Sequence, residues 1–518
     1  MSQVLTLAAL PLWTVMASLG AAVVIFLLGE QWQRTRTAIN LAAALVKLVL
    51  IGIMLVGVRA GQTFEFRLPL MSGLELVLAV DALSLLFMSL SAGLWLLTTV
   101  YAIGYLERSP DRARFFGFFS LCVAATMGIA AAGNLFTFFI FYELLTLATW
   151  PLVAHRGTKA ALAGARTYLV HTLVGSSLFL LGLVWLYGIA GSQDFSLDGN
   201  LGAAVAGNER SLQWIFVLIA AGLGVKAALV PLHSWLPRAM VAPAPVSALL
   251  HAVAVVKAGA FGLIRLVEDV YGFETASSLG LTQGLAMLAA FTILYGSTRA
   301  LFQSDLKRLL AWSTVSQVSY ITLGVCIGGP LALVGGLVHL VHQGLMKITL
   351  FFCAGIFAER LGIHRIDELD GLGRRMPWAA TAFSVGALGM IGFPPLAGFV
   401  SKWFLGLGAL AAGQDWVLGV LVASTLLNAA YFLPLLRRIW FAPAPQSWPQ
   451  EQRLDRWVVA ALTVPPLLTA ALTIGVGVFA ALPMSPLGWV ELIVTRDMGP
   501  RACCSSSCWR WRSACPCC

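Results

Sequence analysis

Charged residues are scarce in this 518-residue chain. Lysine, arginine, aspartate and glutamate together make up 11% of it, whereas hydrophobic residues make up 59% and the mean hydropathy is +0.87. A soluble domain carries roughly 25% charged residues. The connections between hydrophobic runs are no longer than about twenty residues. The scarcity of charge therefore excludes an ordinary soluble protein, and it leaves no segment long enough for a soluble domain.

Cofactor signatures are also missing. Cys122, Cys326 and Cys353 stand singly in hydrophobic runs, as small core residues do, so they offer no ligand set for an iron–sulfur cluster. The chain has no zinc spacing and no glycine-rich strand-to-helix fingerprint for a nucleotide. We therefore expect no cofactor, no metal site and no redox chemistry within the chain itself.

The other cysteines are concentrated at the C-terminal end. Six of the nine lie in the last sixteen residues, within the segment ACCSSSCWRWRSACPCC. This segment has no apolar period, and the composition changes abruptly after RDMGP. We interpret residues 501–518 as a non-native or frameshifted end without function; a metal or disulfide role is the alternative.

Hydrophobic runs long enough to cross a bilayer, about 20 residues each, recur along the whole chain. About fourteen are predicted, near 5–29, 37–58, 75–104, 115–133, 134–154, 162–190, 211–232, 243–267, 276–298, 309–329, 331–358, 378–410, 413–440 and 455–482. No small-residue cleavage pattern follows the first run, so we expect it to be retained. The pattern predicts an all-α polytopic membrane protein.

The net charge of +10 could indicate nucleic acid, but its distribution indicates membrane topology. Numbering each loop by the run it follows, the odd loops contain twenty lysines and arginines. The even loops contain four, namely Arg59, Arg67, Arg210 and Arg265. Basic residues collect in cytoplasmic loops. We therefore expect odd loops in the cytoplasm, both termini on the outer face of the cell membrane, and no nucleic-acid partner.

Several ionisable residues lie inside the hydrophobic runs, where charge is costly and therefore indicates function by default. The isolated ones are Glu143, Lys226, Lys257 and Lys402. In the run LVHLVHQGLMKITLFF, a second set recurs every four residues, a spacing that places side chains on one helix face. This set is His339, Gln343 and Lys347, with His342 one position away.

Each of these residues also has a plain structural interpretation. Glu143 and Lys226 could form a pair that only holds helices together. His251 and Lys257 are six residues apart, about 240° around an ideal helix, so they would face different neighbours and one of them could be a packing residue. His342 fits a satisfied core histidine better than a relay.

Two further residues are interpreted separately. Lys47 lies in the middle of the second run, and its sequence context does not separate a structural or snorkelling lysine from a functional one. Asp81 stands where a run begins, which favours a role at the start of a helix.

Prolines interrupt two of the runs. Pro231 follows Lys226, and Pro394 and Pro395 precede Lys402. Proline breaks a helix, and broken spans in membranes line protein-buried or wet cavities. The lysine precedes the break in one half and follows it in the other, which is the arrangement that an inverted repeat produces.

Six motifs carry a family resemblance. They are VPLHSWLPRAM…PAPVSALLHAVAVVKAG, LFQSDLKRLLAWSTVSQVSY, FFIFYELLTL, KITLFFCAGIF, DELDGLGRRMP and GFPPLAGFVSKWFL. Over residues 75 to 440 the chain resembles the antiporter-like membrane subunits of Mrp-type multisubunit cation/proton antiporters and of the membrane arm of respiratory complex I. The resemblance implies fourteen helices, with two inverted five-helix repeats that contain broken seventh and twelfth helices.

The resemblance also implies a division of the chain. Helices 1–3 would occupy residues 1–114, the first repeat (helices 4–8) 115–270 and the second repeat (helices 9–13) 271–440. The fourteenth helix would occupy 441–500, before the cysteine-rich tail.

In the first repeat, the resemblance implies a proton-carrying role for four residues. Glu143 matches the glutamate of the fifth helix, and Lys226 matches the lysine of the seventh helix that pairs with it. Lys257 and His251 both match positions of the eighth helix that relay protons in different family members.

In the second repeat, His339 and Lys347 match the relay of the eleventh helix, and Lys402 matches the exit residue of the twelfth. Gln343 departs from the family, because a second relay histidine is common at this position. Arg238 also departs, because the family often has aspartate after WLP. The first departure puts the geometry of the relay in doubt, and the second concerns a cytoplasmic loop.

The segments KITLFFCAG and PPLAGFVSKW most resemble the D subunit of the Mrp-type antiporters. The resemblance therefore implies a proton-translocating subunit that works with other integral membrane subunits; the exchanged ion, Na⁺, K⁺ or none, is left open. The first alternative is a proton-pumping subunit of an NADH-quinone oxidoreductase or a membrane-bound hydrogenase. The second is a non-conducting scaffold subunit.

Overall fold

The structure is a computed structural model that describes residues 8–71, 73–191, 194–197, 199–448 and 454–498. It is mostly helical, with 78% of residues in helices. Within the described ranges, twelve helical segments are long and apolar enough to cross a membrane. The cysteine-rich tail lies outside the described residues, so the interpretation of 501–518 stays a prediction.

Helices of nine or more residues run through the whole described chain, with shorter helical turns between them. The first seven of these long helices are α1 (Leu10–Leu27), α2 (Gln33–Arg59), α3 (Ala82–Tyr105), α4 (Arg112–Ala130), α5 (Leu135–Val153), α6 (Lys159–Ala190) and α7 (Glu209–Lys226). The next five are α8 (Ala244–Ala252), α9 (Val255–Arg265), α10 (Leu281–Leu301), α11 (Leu306–Ile327) and α12 (Pro330–Leu361). The last five are α13 (Pro377–Ile391), α14 (Ala397–Ala411), α15 (Trp416–Phe441), α16 (Arg456–Val478) and α17 (Pro486–Met498).

The third predicted span starts too early. Strand β1 (Phe64–Met71) pairs antiparallel with strand β2 (Leu74–Val80), so the segment before Asp81 is a hairpin. The Ser84 amide donates a hydrogen bond of 2.6 Å to the Asp81 carboxylate, which caps α3. The helix-start role of Asp81 is confirmed, and β2 was mistaken for helix because its run is apolar.

The seventh and twelfth spans are broken, as predicted. The seventh ends as a helix at Lys226, and Ala228 has a left-handed φ of 57° before Pro231. The twelfth consists of two 15-residue halves, α13 and α14, separated around Pro394 and Pro395. These two broken spans and the twelve long segments together make fourteen, in agreement with the count from sequence.

The eighth span has a break that was not predicted from the sequence. Helix α8 ends at Ala252, and Val253 and Ala254 leave helical geometry before α9 begins. Arg265, counted above as a loop residue, is the buried last residue of α9. Its assignment to a loop was wrong; it donates hydrogen bonds to both Asp81 and Asp269.

The three spans at 244–271, 306–327 and 330–361 form the centre, because their apolar windows are entirely buried inside the molecule. The peripheral α2 and α6 are buried over only about a third of their apolar windows. Helix α17, beyond the last predicted span, was not expected from the sequence. The central spans carry most of the candidate residues.

Candidate functional site

Lys226 is fully buried at the C-terminal end of α7. Its ammonium lies over the ring of Tyr142, with Nζ 3.3 Å from the ring centroid, and donates a hydrogen bond to the Tyr142 carbonyl oxygen. The Tyr142 hydroxyl in turn donates to the Gly222 carbonyl at 2.9 Å, one turn before Lys226. A π face and a carbonyl therefore hold the cation from the α5 side.

Glu143 does not close an ion pair with Lys226. Among the described residues no salt bridge joins the two side chains, and the Glu143 Oε1 atom is buried without a hydrogen-bond partner from the protein. Glu143 is nevertheless close in space, because it directly follows Tyr142, whose ring and carbonyl hold the Lys226 ammonium. The two residues are therefore neighbours without a direct contact between their side chains, and the pairing implied by the family resemblance stays a prediction.

Glycine allows α9 to approach the end of α7. A Cβ atom on Gly259 would overlap the backbone nitrogen of Ala227, directly after Lys226. Only glycine avoids this overlap, so the broken end of the seventh span packs tightly against the eighth. Lys257, two residues before Gly259, is fully buried, and its Nζ has no hydrogen-bond partner among the described residues.

His251 and Lys257 lie on opposite sides of the break in the eighth span. The His251 ring stacks on Phe351 of α12, with centroids 4.4 Å apart. Helix α8 packs on α12, whereas α9, which carries Lys257, packs mainly on α7 and α11. The expectation that the two residues face different neighbours therefore agrees with the packing of their helices.

Helix α12 presents its polar stripe to α11 and α14. The His339 Nδ1 atom lies 2.8 Å from the Ser401 hydroxyl, and its ring lies 5.1 Å from that of Tyr320. Two turns further on, Lys347 donates hydrogen bonds to the Leu310 carbonyl at 3.2 Å and to the Ser313 hydroxyl. His339 and Lys347, at the two ends of the predicted stripe, thus both contact neighbouring helices.

Gln343 and His342 are both fully buried, and their side-chain polar atoms have no hydrogen-bond partner among the described residues. His342 lies beside the backbone of Ala397, at the start of α14. It therefore faces the break of the twelfth span. The hypothesis that His342, beside Gln343, substitutes for the missing relay histidine stays a prediction.

The side chain of Lys402 contacts the C-terminal end of α13, at the break in the twelfth span. Its Nζ donates to the carbonyls of Ile391 at 2.8 Å and Met390 at 3.3 Å, and to the Thr425 hydroxyl at 3.1 Å. It also lies 5.7 Å from the centroid of the Tyr320 ring. Carbonyls at a helix C-terminus carry partial negative charge and favour a cation.

Several polar residues that hold these cations were missed from the sequence. Tyr142, Ser313, Ser401 and Thr425 contact Lys226, Lys347, His339 and Lys402 respectively. Each lies in a predicted span, and hydroxyl groups in spans are common. The only usable signal was adjacency: Tyr142 precedes Glu143, and Ser401 precedes Lys402.

Two residues noted from the sequence lie apart from this set. Lys47 is buried, with its Nζ 6.0 Å from the centroid of the Trp95 ring, so it does not snorkel to water. The structure leaves its choice between structural and functional roles open. Arg238 is exposed in a short helical turn, away from the buried residues.

Within the described ranges, no cluster of three or more histidine, cysteine, aspartate or glutamate side chains could hold a metal ion. Cys122, Cys326 and Cys353 are buried free thiols. The ionisable side chains described above can bind protons, pair with opposite charges and form hydrogen bonds.

Comparison with known proteins was made on this basis. Residues 132–428 match the family model described as NADH:quinone oxidoreductase/Mrp antiporter, TM, and residues 71–116 match the N-terminal model of chain 5 of NADH-ubiquinone oxidoreductase. The N subunit of the NADH-quinone oxidoreductase of Desulforudis audaxviator is 39% identical over 74% of this chain and 75% of the relative. The D subunit of the Na(+)/H(+) antiporter of Bacillus subtilis is 29% identical over 68% of this chain and 71% of the relative.

Two further relatives extend the comparison. The A/B subunit of a probable K(+)/H(+) antiporter of Rhizobium meliloti is 33% identical over 81% of this chain, which spans only 42% of that longer relative. A chain in the Mrp complex from a Dietzia species shares the fold, with a TM-score of 0.83 and 24% identity over 96% of this chain and 98% of that chain. The fold extends over nearly the whole length.

Proposed function

Because the chain belongs to the NADH:quinone oxidoreductase/Mrp antiporter transmembrane family, we propose that it is the proton-translocating subunit of a multisubunit monovalent cation/proton antiporter. One observation supports this function above the others. Lysines lie at both broken spans: the fully buried Lys226 at the seventh and the half-buried Lys402 at the twelfth. The buried Lys257 and Lys347 lie on the central helices between them. The molecule thus keeps a series of cations where each is expensive.

The first step of the proposed mechanism takes place at Lys226. With its ammonium on the Tyr142 ring, the charge is held without direct contact to Glu143. An ion pair of Lys226 and Glu143 at about 4 Å would be more stable than the widely separated charges by about 4 kcal/mol, at an effective dielectric constant near 20. Moving one charge against about 150 mV costs about 3.5 kcal/mol. Opening and closing this pair therefore involves an energy comparable with the load of one ion.

The middle of the relay lies on the eighth and eleventh spans. Lys257 lies within electrostatic reach of His339 and Lys347 on α12. Like charges cannot all be held in such a space, so a proton on one favours its loss from the others. His251, stacked on Phe351, is placed to exchange protons with this group through bridging water.

Lys402 is the proposed exit. His339 reaches the Ser401 hydroxyl, and Ser401 immediately precedes Lys402 in α14. A hydroxyl both donates and accepts, so Ser401 can pass a proton between the histidine and water beside Lys402. The three oxygens around Nζ then hold the charged form at the broken helix end.

The setting of the chain is part of the proposal. It would lie in the cell inner membrane with both termini on the outer face, as the loop charges indicate. Its own helices would form two inverted repeats, at 115–270 and 271–440. The chain would assemble with other integral membrane subunits. Polytopic membrane complexes are the setting in which the similar Mrp chain was solved.

The second candidate is a proton-pumping subunit of an NADH-quinone oxidoreductase. The 39% identity with the N subunit of such a complex, over three quarters of both chains, favours it. The same buried residues would then carry protons driven by a redox subunit elsewhere in the complex. A non-conducting scaffold is disfavoured, because buried lysines without use destabilise the fold.

The test uses the complete complex in inverted vesicles. We expect Na⁺ or K⁺ to dissipate an imposed pH gradient, and Lys226→Ala and Lys402→Ala each to lower this rate at least about tenfold per assembled complex. Lys159→Ala, an exposed lysine at the start of α6, is the matched control and should have no effect. Full exchange in both buried variants would refute the relay. Proton movement that requires NADH and ignores Na⁺ and K⁺ would favour the second candidate.

A further inference from the structure

An apolar groove lies at the surface of the molecule between α2, α3, α12 and α17. It encloses about 530 Å³, within the range of about 300–1,000 Å³ that is typical of small-molecule sites. Its walls include Leu55, Leu86, Leu90 and Val341. Among its described lining residues, Arg59 is the only one with a charged side chain. The groove is therefore suited to hydrocarbon, with one cation beside it.

A second, more open groove lies on an adjoining face of α2. Its lining includes Val49, Gly52 and Ile53, and it shares Val56 and Ala60 with the first groove. A Cβ atom on Gly52 would meet no atom within 4 Å, so this groove is open space over the helix. The two grooves therefore lie on either side of a ridge on the C-terminal half of α2 and meet at its end.

Both grooves extend from the end of α2 to about the middle of a bilayer leaflet pair. Trp489 lines the first groove and donates a hydrogen bond of 2.9 Å to the Ala82 carbonyl at the start of α3, and tryptophan concentrates at the membrane–water interface. From Ala82 to Leu90 α3 rises about 12 Å, and from Val49 to Arg59 α2 rises about 15 Å. Half of the hydrocarbon core is about 15 Å thick. The grooves thus have the depth of the acyl chains of one leaflet.

The surface end of the grooves carries positive charge. Within the described part of the chain, the hydrogen bond of the exposed Arg59 guanidinium is to the Met484 sulfur at 3.0 Å, which is a weak acceptor. Arg496 donates to the Val58 carbonyl at 2.9 Å and to the Arg59 carbonyl at 3.2 Å, so it offsets the negative end of the α2 dipole. No aspartate or glutamate is among the described residues that line either groove. An anionic group is therefore favoured at this end.

We propose that the two grooves and Arg59 form a binding site for one anionic diacyl phospholipid. One acyl chain lies in each groove, on either side of the ridge of Val56 and Ala60, and the phosphate pairs with Arg59. Guanidinium groups bind phosphate through paired, charge-assisted hydrogen bonds. Through Val341 the lipid also contacts α12, so it joins a peripheral helix to the centre of the molecule. The inference does not depend on the proposed transport function.

The test measures lipid labelling of the assembled complex in vesicles. The vesicles consist of phosphatidylcholine with a trace of photoreactive phosphatidylglycerol, whose diazirine is on one acyl chain. A parallel set contains photoreactive phosphatidylcholine with the same chains, and labelled peptides are identified by mass spectrometry. We expect labels in the peptides of α2 and α3 that contain Leu55 and Leu86. Phosphatidylglycerol should label them at least about fivefold more, because the guanidinium groups repel the choline cation.

Two variants test the two parts of the site. Arg59→Gln should lower labelling by phosphatidylglycerol about tenfold, because it removes a hydrogen bond to a charged group. Gly52→Leu places a side chain in the second groove and should lower labelling at least about threefold, because an acyl chain no longer fits there. The matched controls are Arg210→Gln, an exposed arginine at the start of α7, and Gly419→Leu on α15, where a Cβ atom also meets nothing within 4 Å. Both controls should leave labelling unchanged.

Three results would overturn the proposal. Equal labelling by the two lipids, or by phosphatidylglycerol in Arg59→Gln and the native chain, would mean that the grooves take acyl chains without recognising the headgroup. Unchanged labelling in Gly52→Leu would mean that the second groove holds no chain. No labelling of α2 in the native complex would mean that a protein segment, and not a lipid, covers the grooves.

Discussion

The ammonium of Lys226 lies 3.3 Å from the centre of the Tyr142 ring and bonds to the carbonyl of the same residue, while the neighbouring Glu143 makes no direct contact with it. Tyr142 therefore holds the cation on the side of α5, and the carboxylate of Glu143 lies next to this contact without taking part in it. A lysine fixed in a salt bridge would need that bond broken before it could move. Here a weaker contact has to be given up.

The contact of the Lys226 ammonium with the Tyr142 ring can be tested by removing the ring. A desolvated cation–π contact contributes about 2 kcal/mol, so Tyr142→Leu should lower proton-coupled exchange about tenfold or more. Tyr142→Phe keeps the ring and the backbone carbonyl and loses only the hydroxyl bond to Gly222, so its effect should be smaller. Rates are measured in inverted vesicles per assembled complex. Equal losses in the two variants would assign the effect to the hydroxyl.

Glu143→Gln tests the electrostatic role of the carboxylate. Without the negative charge, the charged form of the buried Lys226 keeps only its contacts with Tyr142 and becomes less stable, so exchange should fall at least about tenfold while the complex still assembles. Lys226→Ala blocks the same step, so the double variant should be no worse than either single one.

A structural pair predicts the opposite behaviour. Single variants would strand a charge and lower the amount of folded protein, and the double variant would recover it. The absence of a closed ion pair among the described contacts argues against such recovery. Near-normal exchange in Glu143→Gln would rule out the relay role of Glu143.

The proposed topology rests on the bias of basic residues: the odd loops contain twenty, and the even loops contain three once the buried Arg265 is left out. A reporter fused at Gly199, after the sixth span, should report the periplasm, and one fused at Gly371, after the eleventh, should report the cytoplasm. Paired alkaline phosphatase and fluorescent-protein fusions give opposite signals at the two sites. If both signals were reversed, the orientation proposed for the termini would be wrong.

Arg265 should contribute much more to stability than Arg67. Arg265 is 2% exposed and bonds to Asp81 and to the buried Asp269. Arg265→Met leaves a buried carboxylate unpaired and should cost about 3–5 kcal/mol, seen as a lower midpoint of thermal unfolding. Arg67 has three acidic partners but is 44% exposed, so Arg67→Met should cost about 1 kcal/mol or less. Similar losses would show that the ion pairs of Arg265 are as solvated as those of Arg67.

Deletion of residues 501–518 tests the interpretation of the cysteine-rich tail. The segment has no core pattern, so the truncated chain should assemble and transport at the native rate. Replacing its six cysteines with serine in the full chain is a milder control. Loss of exchange in a well-assembled truncation would support a metal or disulfide role.

Long-range features of the fold could be predicted from short patterns. Pro394 and Pro395 marked the break of the twelfth span because proline removes a helical hydrogen bond whatever surrounds it. The four-residue spacing of His339, Gln343 and Lys347 gave the correct face of α12 because helical periodicity is local. Both signals act within a few residues, where sequence is informative.

Other features depend on contacts between distant segments. The eighth span breaks at Val253 and Ala254, which are not helix-breaking residues. Its two halves have different neighbours, α12 for α8 and mainly α7 and α11 for α9, and these contacts cannot be derived from the local sequence. Asn428 resembles an ordinary polar residue of an apolar helix until α13 is placed beside it, where the Asn428 amide donates to the Met390 carbonyl. The distance between Glu143 and Lys226 likewise depends on how α5 and α7 pack.

The burial of α12 has a consequence for how the chain enters the membrane. Its apolar window has a mean hydropathy of 1.5, against 2.6 for the peripheral α2, and Lys347 lies near its middle. A lysine at mid-bilayer costs about 2.5–3.5 kcal/mol on insertion scales. Helix α12 therefore gains little by facing lipid alone. Its integration during synthesis should depend on earlier helices that wait at the translocon, so that the chain folds partly before it is released into the bilayer.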